Sequence, residues 1–297
     1  MKKNNKAVAK QWMRPSVVMA MLLTLLAIQT EAQTYDLSAR NTSLDIDVAG
    51  GTPGLSDWTV NGVNQLDQQW FYYSVGGGDV NSIDTIGTFS TQYENFGNSP
   101  FLNQTYSNST VFVTTDYTLQ SQPSGSGQAK LSTLIGIQNE SQTTQTFNFY
   151  IYSDFWLGGN SGNQNFQFSP TAPYEALQTS LNGGGPLVAT ITGISGGMGD
   201  SVEEVAGIYD GTQFGLINGD AAPSFTDSPL IAGAGNVDFA YEVSATLTPG
   251  TAISFTDLEV VPEPSSGALI LSGMFVFGLY YGRKLAFFKK FVKKTSH

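Results

Sequence analysis

Carboxylates are the side chains of this sequence whose types could do chemistry. The only histidine is His297, the last residue, and there is no cysteine. Ser-His-Asp and Cys-His nucleophilic sites are therefore excluded from the rest of the chain, and so are zinc sites built from histidine or cysteine. What remains is a carboxylate pair of the kind that glycosidases use. The candidates are Asp45 with Asp47, Glu203 with Glu204, Asp154 and Glu175.

None of these carboxylates lies in a diagnostic context. Asp45 and Asp47 stand two residues apart on a predicted strand, so they share a face, and solvation at the surface accounts for them. We therefore predict no catalytic residue and a protein that is not an enzyme. A carboxylate-based glycosidase is the alternative left open.

Calcium is the one metal that the residue types would suit, because it prefers oxygen ligands. The candidate loops are Gly199-Asp200-Ser201 and Asp210-Gly211-Thr212. No EF-hand pattern is present, and Asp-Gly is more often simply a turn. We predict no cofactor and no metal ligand, with a structural calcium ion as the alternative.

Aromatic residues allow two interpretations. Trp58, Trp70 and Trp156 could stack on sugars, or they could fill a core. The run Trp70-Phe71-Tyr72-Tyr73 in a strand places two rings on each face. Packing in the core is the favoured interpretation, and carbohydrate binding is the alternative.

Alternation of apolar and polar residues predicts strands through most of the chain. Glycine-rich turns separate short strands, and long helical stripes are missing. We predict an all-β fold, an antiparallel β-sandwich that is jelly-roll-like, over 33–260. The apolar phase slips before Leu258 and Val260, which predicts a bulge near Asp257. Other predicted segments are strands at Asp36–Val48, Trp58–Val63, Gln69–Val75, Thr110–Gln120 and Lys130–Gln138, alternating faces around Phe147–Tyr152 and Phe239–Leu247, a turn at Thr248–Thr251, and a short turn of helix at Tyr174–Leu181.

The N-terminal segment 1–32 has the order of a secretory signal peptide. Five basic residues precede the apolar run Val17–Ile28, and the segment ends in a small residue. We predict cleavage between Ala32 and Gln33, with an uncleaved anchor as the alternative. Residues 33–264 then hold two basic and 23 acidic residues, a formal net charge of −21. Nucleic acid is excluded as a partner, because binding it needs a basic surface.

The C-terminal segment 261–297 has three parts. The motif Val261-Pro262-Glu263-Pro264 must be extended and is expected to be exposed, because each proline disfavours helix in the residue before it. Residues 265–282 carry no charge and are long enough for one transmembrane helix. A basic tail over 283–297 would stay cytoplasmic by the positive-inside rule. Its basic residues are Arg283, Lys284, Lys289, Lys290, Lys293 and Lys294.

This order of Val-Pro-Glu-Pro, short apolar segment and basic cluster resembles the PEP-CTERM sorting signal of exported proteins in Gram-negative and related bacteria. Pro262, Glu263 and Pro264 match the motif that names the family. The resemblance implies recognition by exosortase, a membrane-embedded cysteine peptidase or transpeptidase. It also implies a host that makes extracellular polysaccharide. A plain C-terminal membrane anchor is the alternative.

Together these features predict an exported protein, anchored in the inner membrane through its C-terminal helix with the main domain outside the cytoplasm. After processing it would reach the cell surface or the extracellular matrix. The expected role is non-enzymatic and associated with extracellular polysaccharide or biofilm. Two alternatives stay open: a carbohydrate-binding or carbohydrate-active jelly roll with the same tag, and a permanently anchored protein that faces the periplasm.

Overall fold

A computed structural model describes residues 33–48, 53–121, 128–159, 162, 164–169, 174–180, 186–195, 230–231 and 236–262. Within these ranges the chain forms seventeen strands and one short 3-10 helix, Ile83–Ile86. The predicted signal peptide, the predicted transmembrane segment 265–282 and the basic tail lie outside the described residues. No helix in the described part of the chain is long and apolar enough to cross a membrane.

The smaller of two sheets has eight strands, in the order β1-β2-β3-β5-β11-β16, with β4 paired to β3 and β6 paired to β5. Each described pairing within it is antiparallel. The strands are β1 (Thr34–Ala39), β2 (Thr42–Asp47), β3 (Gly54–Val60), β4 (Val63–Asn64), β5 (Leu66–Val75), β6 (Asn81–Ser82), β11 (Gln145–Phe155) and β16 (Asp238–Leu247).

The larger sheet has nine strands, in the order β15-β12-β13-β14-β17-β10-β9-β8-β7. Its described pairings are also antiparallel. β17, the last strand, pairs with β14 on one side and β10 on the other. The strands are β7 (Thr88–Asn95), β8 (Pro100–Ser107), β9 (Val111–Ser121), β10 (Gln128–Asn139), β12 (Gln164–Ser169), β13 (Tyr174–Ser180), β14 (Leu187–Ser195), β15 (Leu230–Ile231) and β17 (Ala252–Pro262).

The core lies between the two sheets and is rich in aromatic rings. Phe149 of β11 contacts Phe71 of β5 in the same sheet and Phe255 of β17 in the other, each at a ring-centroid distance of 5.8 Å. The alternation of buried and half-buried residues along β9, β10 and β16 puts every second side chain into this core. The prediction of an antiparallel sandwich is confirmed. Meanders such as β7-β8-β9-β10 dominate the sheet order. The narrower jelly-roll description stays a prediction.

Several local predictions were wrong. Trp58–Val63 is not one strand, since β3 ends at Val60 and the chain turns at Asn61, with a φ of 53°, into β4. Asp36–Val48 is a hairpin rather than one strand, since Arg40 turns the chain with a φ of 49°. Tyr174–Ser180 forms strand β13 rather than helix, because pairing with β12 and β14 overrides its local propensity. The pairing of β10 with β17 runs unbroken from Gln128 to Gln138, so β17 keeps its phase through Asp257 and the predicted slip is wrong. An irregularity does lie near Asp257 on the other side, where the pairing with β14 shifts between Thr192 and Ser195.

We predict that Phe149→Ala lowers the free energy of unfolding by about 3–5 kcal/mol, the cost of losing a buried phenylalanine. The reason is its ring contacts to Phe71 and Phe255, which join the two sheets. Chemical denaturation would measure the change. Leu134→Ala is the control, because Leu134 is 44% exposed on β10, and its cost should stay within about 0.5 kcal/mol. Equal costs for the two variants would contradict this description of the core.

Candidate functional site

Two acidic side chains of β17 point into the core. Asp257 lies opposite Thr133 of β10, and Glu259 lies opposite Leu131. Asp257 is 2% exposed and Glu259 is 1% exposed, whereas Leu258 and Val260 are only half-buried. The predicted bulge assumed that Leu258 and Val260 would turn inward. Because the register is continuous, the side chains of Asp257 and Glu259 face the interior instead.

A glutamine and a serine from the smaller sheet meet these acids. Gln69 of β5 and Ser153 of β11 are cross-strand partners, and both are buried. The amide nitrogen Nε2 of Gln69 donates to Ser153 Oγ at 3.1 Å and to Asp257 Oδ2 at 3.3 Å. It also donates to Glu259 Oε1. We call these four residues the buried polar cluster.

One nitrogen atom of the cluster has more hydrogen-bond acceptors around it than it has hydrogens, whereas other polar atoms of the cluster have no described hydrogen-bond partner. An amide nitrogen carries two hydrogens, yet three acceptors converge on Gln69 Nε2. No described residue bonds to Gln69 Oε1, Asp257 Oδ1 or Glu259 Oε2, although all three atoms are buried. Such atoms cost free energy, so an arrangement of this kind calls for a functional explanation.

No positive side chain in the described ranges compensates the two carboxyl groups. Residues 33–264 contain only Arg40 and Lys130 as basic residues. Arg40 bonds to Asn98 through its Nε, and Lys130 is half-buried on β10, on the face away from Leu131. Burial therefore raises the pKa of Asp257 to about 7. Burial, together with the charge of Asp257, raises the pKa of Glu259 well above its usual value.

Two buried carboxyl groups that share one amide nitrogen and have no cation beside them do not readily both ionise, so we expect the pair to hold a proton at neutral pH. One carboxyl group would then be available as an acid and the other as a base. Nearby Tyr241 is also buried, and its hydroxyl donates to the carbonyl of Ala189 at 3.0 Å. Burial and the charges of Asp257 and Glu259 raise the pKa of Tyr241. The cluster therefore combines a hydroxyl, an amide, an acid and a base in a space closed to bulk solvent.

The carboxylates singled out from the sequence lie elsewhere. Asp45 and Asp47 are half-buried on β2, and burial, Asp36 and Asp57 raise the pKa of Asp45. Asp154 is buried beside Asp238, its partner on β16, and accepts a hydrogen bond from Asn236 at 3.0 Å. Glu175 is half-buried on β13. The described ranges contain no group of three potential metal ligands. Glu203, Glu204, Asp200 and Asp210 lie outside them.

Trp58 and Trp70 serve in packing, as predicted, whereas Trp156 is only half-buried. Trp58 is buried and its Nε1 donates to Thr42 Oγ1 at 2.9 Å. Trp70 is buried and donates to Ser82 Oγ at 2.6 Å. The pairings of β5 with β11 confirm two rings on each face, since Trp70 and Tyr72 oppose Tyr152 and Tyr150 on the outer side.

The predicted sorting motif, 261–264, begins inside the folded domain. Val261 and Pro262 are the last residues of β17, so the predicted extended conformation is correct for them. Val261 pairs with Ala129 and is fully buried, so its predicted exposure is wrong. It belongs to the same inward-facing series as Ile253 and Phe255. Glu263, Pro264 and the basic residues of the tail lie outside the described residues, as does Ala32. Gln33 accepts a hydrogen bond from the amide of Val48 at 3.0 Å.

A shallow groove crosses the outer face of the larger sheet, with a volume of about 180 Å³. Gly136 makes room at its floor, since a Cβ there would come within 2.6 Å of Thr114 Oγ1. Phe112 supplies an aromatic ring at one side. Hydroxyl and amide groups come from Thr114, Gln138, Ser195 and Ser254, and the apolar residues Ile137, Ala252 and Ile253 complete the lining.

No protein-family model and no curated protein sequence matches this chain. Among solved structures, a bacterial glucoamylase complexed with acarbose is similar over 83% of this chain, at 10% identity and a TM-score of 0.44. This chain spans only 36% of that glucoamylase.

Two smaller proteins are matched over nearly their full length. The Slr1438 protein from Synechocystis is similar over 78% of this chain and 97% of its own, at 9% identity and a TM-score of 0.46. A putative aldose 1-epimerase from Escherichia coli K12 is similar over 77% of this chain and 99% of its own, at 11% identity and a TM-score of 0.41. Likenesses at this level transfer neither a substrate nor a residue role to this chain.

The buried polar cluster was missed because acids were assumed to face water. A signal was nonetheless present in the sequence. Ile253, Phe255 and Val261 are all in the same period-two phase, and only an unbroken strand keeps them so. Asp257 and Glu259 fall in that phase between them.

We predict that the protein loses stability as pH rises from about 4 to about 7 because of the acid pair. A folded-state pKa raised above the unfolded value means that the folded state binds more protons. The resulting stability is complete below the unfolded pKa of about 4, and it falls by about 1.4 kcal/mol per pH unit for each extra proton. Denaturant unfolding at a series of pH values would measure this slope.

Asp257→Asn should flatten the slope, because asparagine cannot titrate. Leu258→Asn is the matched control, since it adds the same amide to the half-buried face of the same strand. An unchanged slope in Asp257→Asn would mean that the carboxyl group of Asp257 is not perturbed by burial.

Proposed function

We propose that this chain is an exported cell-surface or extracellular-matrix protein, delivered by a PEP-CTERM-like signal that exosortase processes. Its role would be non-enzymatic and associated with extracellular polysaccharide. The observation that carries the proposal is the order of features after β17: the motif 261–264, the uncharged segment 265–282, and six basic residues. The signal-peptide pattern of 1–32 supports export of the same chain.

The acidity of the central region fits this proposal. Eleven of the 13 basic residues lie in 1–32 or 283–297, so removing both ends would leave a strongly acidic domain. Such a charge keeps a protein soluble and repels anionic polymers unless cations bridge them. Association with an anionic polysaccharide would therefore depend on divalent cations, whereas a neutral polysaccharide would need none.

The end of β17 limits where processing can occur. Val261 is buried and paired with Ala129, so a cut before it would remove a core residue. Strand β17 pairs on both sides close to its end, through Val188 with Val260 and through Gln128 with Pro262. We place the cut after Pro262, in the part of the motif that follows the folded strand.

The expected mature protein runs from Gln33 to a residue within or just after Glu263-Pro264. Intact mass measured on protein from the native host, with and without the exosortase gene, would test this. The short form should occur only when exosortase is present, and Pro264→Ala should reduce its yield. A chain that keeps Lys294 in both strains would contradict the sorting proposal and favour a permanent membrane anchor.

A second candidate function is carbohydrate binding at the groove of the larger sheet. The observation that favours it is the combination of the Phe112 ring with surrounding hydroxyl and amide groups. Aromatic faces stack on sugars, and polar groups fix orientation. Under this alternative the domain would hold the polysaccharide directly, and a carbohydrate-directed activity stays open.

If the groove binds sugar, Phe112→Ala should weaken binding to polysaccharide purified from the host by about tenfold, which corresponds to about 1.4 kcal/mol. Thr118→Ala, on the same face of β9 but outside the groove, should leave binding unchanged. Affinity electrophoresis or calorimetry would measure the difference. Equal binding by the two variants would rule out this groove as the site.

A further inference from the structure

Gln69 and Ser153 supply the two groups that an acyl transfer needs, a carboxamide as acyl donor and a hydroxyl as nucleophile. They are direct partners on neighbouring strands β5 and β11, and they are 0% and 1% exposed. Ser153 Oγ accepts a hydrogen bond of 3.1 Å from Gln69 Nε2, so the hydroxyl is held against the amide group whose carbon it would attack. To reach that carbon the hydroxyl must leave the N–H and move over the face of the amide, a local side-chain rotation, and holding two reacting groups together in this way accelerates reaction.

The two acids of β17 supply the proton transfers. Asp257 and Glu259 both bond to the nitrogen that would leave. Because the pair carries a proton at neutral pH, it offers a base for the serine hydroxyl and an acid for the departing nitrogen at the same time. Ser153 Oγ, Asp257 Oδ2 and Glu259 Oε1 all converge on Gln69 Nε2, which brings the acid–base pair close to the hydroxyl. A base close to a hydroxyl is what activates such a weak nucleophile.

The geometry points to an intramolecular ester cross-link between Ser153 and Gln69, formed inside the folded domain with loss of ammonia. The bond that forms joins Ser153 Oγ to Cδ of Gln69, and the bond that breaks is Cδ–Nε2. The hydroxyl proton passes to the ionised carboxylate, and the protonated carboxyl group gives its proton to the leaving nitrogen. No oxidant, reductant or co-reactant is needed. The pair as a whole regains its starting protonation.

The surroundings favour the product. Bulk water, which would hydrolyse an ester, is kept out because all four residues of the buried polar cluster are buried. The reaction also removes the nitrogen on which three acceptors compete for two hydrogens. The link would covalently join β5 to β11, which are adjacent in the middle of the smaller sheet. A chain without cysteine has no disulfide to provide such a cross-link. This inference is independent of the sorting proposal.

Trypsin gives a direct test, because Arg40 and Lys130 are the only basic residues between 33 and 264. Digestion of the denatured full-length protein places Gln69 in fragment 41–130 and Ser153 in the fragment that begins at residue 131. We expect the two fragments to remain joined on a denaturing gel. Hydroxylamine, which cleaves esters, should separate them.

The intact mass gives a second readout. The cross-linked chain should be lighter than its sequence by about 17 Da, the mass of the ammonia lost in the acyl transfer. Ser153→Ala should show the full mass and separate fragments, whereas Ser153→Thr, which keeps a hydroxyl, should restore the link. Glu259→Gln should slow or abolish it. Because the link forms only in the folded domain, only variants that keep the circular dichroism spectrum of the wild-type protein are scored.

Wild-type protein with the full mass and freely separating fragments would overturn the inference. So would fragments that stay joined in Ser153→Ala, or a link that resists hydroxylamine, because neither fits an ester at this serine.

Discussion

The unbroken register between β10 and β17 is the constraint on which the rest of the structure depends. Eleven consecutive pairs join Gln128–Gln138 to Ala252–Pro262. A slip of one residue would put Leu258 and Val260 into the core and the acids outside. It would also turn Phe255 away from Phe149 and so remove the ring contact that joins the two sheets. Burying Asp257 and Glu259 is therefore the cost of keeping Ile253, Phe255 and Val261 inside.

That cost explains the composition of the buried polar cluster. Residues 33–264 have almost no basic residues, so the acids have no ion-pair partners. They are stabilised by protons and, as long as the side chain of Gln69 keeps its nitrogen, by the Gln69 amide. The same dry environment that raises their pKa values makes them useful as acid and base. A single local arrangement thus connects the stability of the sandwich, its pH dependence and its capacity for chemistry on its own side chains.

Much of the fold could be predicted from the sequence, because period-two alternation is a strong signal where one face is apolar. The inward faces of β9, β10 and β16 follow it closely. Prediction failed where neighbouring strands decided the outcome. Tyr174–Ser180 is a strand because β12 and β14 flank it. The cluster itself depends on residues far apart in sequence, Gln69 and Glu259 among them, which only the pairing of the sheets brings together.

Two carboxyl groups of β17 lie in the core, and we expect them to share at least one proton at neutral pH. Infrared spectroscopy of the full-length protein detects such a proton directly, since a protonated carboxyl group has a carbonyl band distinct from that of a carboxylate. The band should be present at pH 7 in the wild-type protein and absent from the double variant Asp257→Asn/Glu259→Gln. A spectrum at pH 7 with ionised carboxylates alone would contradict it.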